Sequence, residues 1–153
     1  MKITYILLSI CFLCVFVACQ TARLEGSVTA AVDEEFSLAP DQSAAVKGTD
    51  LILTFDSVLS DERCPSDVEC AASGPVTVSL SVQQGSGTPI DFTLQTFTDQ
   101  NGRSPNVQFE GVTNRAEVGD YLITIASVTP YPADLITEIE PSEYRVALLV
   151  SNK

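Results

Sequence analysis

An all-β fold, a single antiparallel β-sandwich of about seven strands, follows from three features of this chain. Apolar residues recur at every second position over most of its length, Gly, Pro and Asn cluster between those runs, and no stretch carries a convincing helical stripe. Glu35–Leu38 is the first short candidate strand. Leu51, Leu53 and Phe55 form an apolar face, and Ile52 makes that strand apolar on both sides. Val76, Val78, Leu80 and Val82 alternate cleanly with Thr77, Ser79 and Ser81, as a half-buried strand requires. Gly85-Ser86-Gly87 supplies the backbone freedom for a hairpin into Ile90, Phe92 and Leu94. Asp99-Gln100-Asn101-Gly102 reads as a turn before Pro105, and Val107–Val112 is a second short candidate strand. Tyr121, Ile123 and Ile125 alternate until Pro130-Tyr131-Pro132 stops the run, and Tyr144, Val146, Leu148 and Val150 form the last strand. Ala133–Glu140, flanked by prolines, is the one segment that could hold a short helix. Phe36, Phe55, Phe92, Phe109 and Tyr121 fall at inward positions and are expected in the core. A small barrel is the alternative way to close the strands.

The domain is expected to span residues 34–153, behind a segment of different character. Met1-Lys2 is followed by an apolar run, Ile3 to Ala18, that is short against the roughly 20 residues of a spanning helix. It suits a signal peptide over residues 1–18. Phe16-Val17-Ala18-Cys19 resembles the bacterial lipobox, with Phe16 where Leu is usual, which implies that Cys19 is acylated and becomes the new amino terminus. Residues 19–33 then read as a lipidated cysteine and a flexible tether of small and polar side chains. Each buried acyl CH₂ contributes about 0.8 kcal/mol, so two or three chains hold the domain on a membrane. The expected location is extracytoplasmic: the outer face of the cell membrane, or the outer membrane of a cell with two.

Charge and composition exclude several functions. The chain has 8 basic and 20 acidic side chains, a net −12, and loss of Lys2 with the signal segment deepens it by one. Nucleic acid and anionic headgroups are unsuitable partners for such a surface. There is no His and no Trp, so imidazole acid–base catalysis, His-containing triads and His-ligated metals are unavailable to it. A Ser–Lys dyad would have to use Lys47 or Lys153, one in a turn and one at the terminus. No catalytic residue, metal ligand set or cofactor is assigned.

Of the five cysteines, Cys11 and Cys14 leave with the signal segment and Cys19 takes lipid, which leaves Cys64 and Cys70. Outside the cytoplasm this pair is expected to oxidise. The bridge closes a loop of about seven residues, worth roughly 2–2.5 kcal/mol in chain entropy. A redox role is disfavoured by the spacing and by Glu62, Asp67 and Glu69, which would raise the thiol pKa.

The order Phe55-Asp56-Ser57-Val58, Asp61-Glu62-Arg63-Cys64-Pro65, Cys70, Gly74 and an alternating strand resembles a family of small bacterial envelope lipoproteins without an assigned activity. Their mark is an Asp-Ser-Arg-Cys-Pro loop closed by a second cysteine. The likeness runs from Phe36 to Val82, and resumes at Tyr121–Pro132 and Tyr144–Val150. Glu62 stands where the family has Ser, and Ala71-Ala72-Ser73-Gly74 lacks its usual aromatic residue. The resemblance implies a fold and an address, not an activity.

Arg63 is expected to pair with Asp61, Glu62 or Asp56. The candidate functional loop is therefore Asp61, Glu62, Arg63, Asp67 and Glu69. The leading expectation is a non-enzymatic envelope protein that binds an unknown protein or small ligand, or gives structural support. Two alternatives use the same loop: calcium binding by its carboxylates together with Asp56, or peptidase inhibition by a presented Arg63.

Overall fold

The computed structural model describes residues 27–153; the expected signal segment, residues 1–18, and Cys19 lie outside the described residues. Nine strands follow in order: β1 Val28–Ala31, β2 Glu35–Leu38, β3 Gln42–Lys47, β4 Leu51–Asp61, β5 Val76–Gln84, β6 Ile90–Thr96, β7 Arg115–Val118, β8 Tyr121–Thr129 and β9 Arg145–Asn152. The class is all-β, as the period-two pattern predicts. A five-stranded sheet has the order β1-β3-β4-β5-β6, and a four-stranded sheet the order β2-β9-β8-β7. All neighbours are antiparallel except β1 and β3, which run parallel with Val28 opposite Ala44 and Ala30 opposite Val46.

The buried faces of both sheets contribute to one apolar cluster. Leu53, Phe55, Val78 and Leu80 come from the first sheet, and Leu38, Ile123, Val146 and Leu148 from the second. Strand β5 keeps its alternation throughout, with Val76, Val78, Leu80 and Val82 inside and the hydroxyl residues between them at the surface.

Several expectations are corrected. Residues 28–31, assigned to the tether, form β1: Ala30 is small enough to lie buried at the sheet edge opposite Val46. Strands β3 and β7 escape the periodicity because Gln42–Lys47 and Arg115–Val118 are short and contain few large apolar residues. Val107–Val112 is not a strand, and Phe109 is 44% exposed rather than in the core. Ala133–Glu140 holds no helix; a single 3-10 turn, Pro141–Glu143, follows it.

Two bulges near the end of β4, between Phe55 and Ser57 and between Val58 and Ser60, break its alternation. A bulge re-aims the side chains beyond it. Leu59 is left 58% exposed, and Asp61 ends the strand where β8 stops and β9 begins. That end of the molecule carries the cysteine loop.

Candidate functional site

The loop is organised by the side chain of Arg63, whose guanidinium is 0% exposed. Its Nε donates to Asp61 Oδ1 at 2.7 Å and its Nη2 to Asp61 Oδ2, a two-pronged ion pair. The remaining N–H groups cross to the other sheet: Nη1 donates to the Val128 carbonyl at 2.8 Å and Nη2 to the Pro130 carbonyl at 2.9 Å. The guanidinium also lies over the Tyr131 ring, 5.0 Å from its centre. A fork of five donors can serve a carboxylate and two carbonyls together; a lysine could not. The flanking groups reinforce the same junction. Tyr144 donates its hydroxyl to Asp61 Oδ2 at 3.1 Å, and Tyr131 donates to the Cys64 carbonyl at 2.7 Å. Ser66 and Asp67 give their backbone N–H groups to the Pro132 and Ala133 carbonyls. Arg63 is thus a clasp between the end of β4 and the segment leaving β8.

Cys64 and Cys70 form the expected disulfide, with Cα atoms 6.0 Å apart. Glu62, Asp67 and Glu69 are exposed. Glu62 is held through its backbone, donating to the Pro75 carbonyl and accepting from the Gly74 N–H. A Cβ at Gly74 would come within 2.5 Å of the Glu62 Cβ, so the loop closes here only with glycine.

The loop carboxylates do not gather. Both Asp61 oxygens are taken by Arg63 and Tyr144, while Asp56 sits farther back on β4 and accepts from the Ser79 and Ser81 hydroxyls. Among the described residues no group of three acidic or cysteine side chains converges on a common point. In the loop expected to offer a shared cation site, the clasp claims the central carboxylate. Arg63 as a presented inhibitor residue is corrected for the same reason, since its charge points inward and is fully covered.

Electrostatics follow the burial. The Tyr144 hydroxyl is pushed up to about 12, first by burial, then by the charge of Asp61 and the hydrogen bond donated to it. Asp56 is raised above the usual carboxylate range by burial, only partly offset by the two serine hydroxyls, with Asp91 adding repulsion. Asp134 is held below that range by the backbone N–H groups of Thr137 and Ile136 and by the Thr137 hydroxyl.

These Asp134 bonds order a turn that sequence reading missed as functional. It projects Leu135, 76% exposed, and Ile136, 94% exposed. Beside it runs a groove of about 430 Å³ walled by Leu59, Pro65, Pro132, Leu135, Ile139 and Tyr144. The prolines around residues 130–132 gave a strand end but no hint that their carbonyls would receive Arg63. No protein-family model, no curated protein and no solved structure matches this chain.

Proposed function

We propose that this protein is a non-catalytic, lipid-anchored β-sandwich on the outer side of a bacterial membrane, and that it binds a protein partner at the Arg63 corner. It is similar in its loop to the small envelope lipoproteins without assigned activity, and Cys19 is the residue that would carry the lipid. The observation that supports a binding role is the pairing of rigidity with exposure. Leu135, Ile136 and Leu59 stand in water beside a corner fixed by a buried charge-assisted network. Exposed apolar side chains gathered on an ordered surface mark contact sites, because holding them there costs free energy that a partner recovers. Asp61 is ion-paired and Tyr144 keeps its proton until far above neutrality, so this corner suits recognition better than proton transfer.

The test is a photo-crosslinking residue placed at position 136 of the full chain in its host. Capture of a discrete neighbour, lost when Leu135 is changed to Asp, supports the reading; an uncaptured or indiscriminate pattern removes it. Lipid attachment is read separately by labelling with a fatty-acid analogue, which Cys19→Ala should abolish.

A further inference from the structure

A second site lies away from the Arg63 corner. Among the described residues two buried side-chain polar atoms lack a hydrogen-bond partner, Thr98 Oγ1 and Asn114 Oδ1. Native interiors seldom leave such atoms orphaned, and an ordered water or ion is one standard cause. Both residues line concavities that adjoin. One, of about 330 Å³, includes Asn114, Arg115, Glu35 and Thr124; the other, of about 360 Å³, includes Phe97, Thr98 and Phe109. Arg103, Ser104 and Pro105 are common to both, so the two share a wall.

We infer that these adjoining concavities bind a small carboxylate carrying an apolar side chain. Arg115 is the anion receptor. It has no carboxylate partner among the described residues; with the Gln108 amide turned so that its oxygen faces the guanidinium, that oxygen accepts from Nε at 2.7 Å and Nη2 at 3.3 Å, leaving Nη1 uncommitted. The neighbouring cation, Arg103, is neutralised by Glu35 through two bonds of 2.7 and 2.8 Å. One uncompensated guanidinium beside a glutamate matches a monoanion better than a phosphate dianion. The apolar part meets Phe97 and Phe109, whose rings pack edge to face 4.9 Å apart, with Phe109 and Val107 both substantially exposed. The free hydroxy acid and the carboxyl end of a peptide share this chemistry.

The full chain, purified in mild detergent, is titrated by ¹⁵N nuclear magnetic resonance with N-acetyl-L-phenylalanine, its neutral carboxamide, and L-phenyllactate. The acid should saturate and shift the Arg115 Nε–H and Asn114 amide signals, with the carboxamide weaker by about tenfold or more. Arg115→Gln should lose a similar factor, and Phe109→Ala about three- to tenfold, both with melting temperatures within about 5 °C of the parent because neither residue is in the core cluster. Tighter binding of N-acetyl-L-phenylalanine than of phenyllactate assigns the site to peptide ends, and the reverse order to free hydroxy acids. Equal affinity for acid and carboxamide, parent-like affinity in Arg115→Gln, or no saturation at about 10 mM overturns the proposal.

Discussion

Replacing Arg63 with Ala removes the clasp, and the size of the effect can be worked from its contacts. The substitution deletes two bonds to Asp61, one each to the Val128 and Pro130 carbonyls, and the stacking on Tyr131. It also strands the Asp61 carboxylate, whose side chain is only 11% exposed, with the Tyr144 hydroxyl as its remaining side-chain donor. Breaking a buried pair from one side costs about 3–5 kcal/mol, against a total stability of about 5–15 kcal/mol for a domain. For a chain of this size that lowers the melting temperature by roughly 10–15 °C. Breaking the disulfide as Cys64→Ser with Cys70→Ser should cost less, about 2 kcal/mol, since it releases only a short ring. Arg63→Lys should recover little, because an ammonium cannot span the carboxylate and both carbonyls. Removing both charges, as Arg63→Met with Asp61→Leu, should be milder than Arg63→Ala, because no carboxylate is left unpaired. Thermal melts followed by circular dichroism, with thermolysin cleavage mapped over residues 62–74, read all four variants. A melting temperature for Arg63→Ala within about 2 °C of the parent would refute the clasp.

Gly102 has φ +77°, and a Cβ there would run into the Val128 carbonyl oxygen, so Gly102→Ala should cost at least about 2 kcal/mol, seen as a melting temperature lower by several degrees. The raised pKa of Asp56 means the folded state holds that proton more tightly than the unfolded one, so its contribution to stability is present at acid pH and lost as pH rises through the folded value. Asp56→Asn should therefore melt higher than the parent at pH 7, with the gap closing toward the ordinary carboxylate range; melts between pH 3 and 7, a window set by reference carboxylate values of about 4, check it. Tyr144 follows the same sign in alkali: its stabilising protonated form is lost as pH climbs from the usual phenol value of about 10 toward 12. Absorbance titration at the phenolate band should show a late step near pH 12 that Tyr144→Phe lacks, and an unchanged titration would remove the assigned contact with Asp61.

What the sequence disclosed tracks how the information is stored. Strand β5 was legible because Val76, Val78, Leu80 and Val82 report one buried face in strict alternation. Strand β1 was not, since Val28-Thr29-Ala30-Ala31 has the composition of a linker and gains its identity only by pairing with β3. Phe109 looked like a core residue because aromatic side chains usually are, yet its position depends on the loop that sets it against Phe97. The Asp61–Arg63 pair was visible as one of three local options. Its partners Val128, Pro130 and Tyr144, 65 to 83 residues away, were beyond any local pattern. The Asn114–Arg115 depression left still less trace, because it is assembled from five segments of unremarkable composition.

The position of β9 has a consequence for how the polypeptide is made. This last strand lies inside its sheet, between β2 and β8, with Phe36 opposite Leu148 and Ile125 opposite the same residue on the other side. While the ribosome is still adding residues before Arg145, β2 has no neighbour in its sheet and the second layer cannot assemble. Long-range pairing of this kind is slow, and the four-stranded sheet stays incomplete until β9 has been made. Closure of the second layer therefore waits on the eight-residue β9, the one strand that touches both β2 and β8.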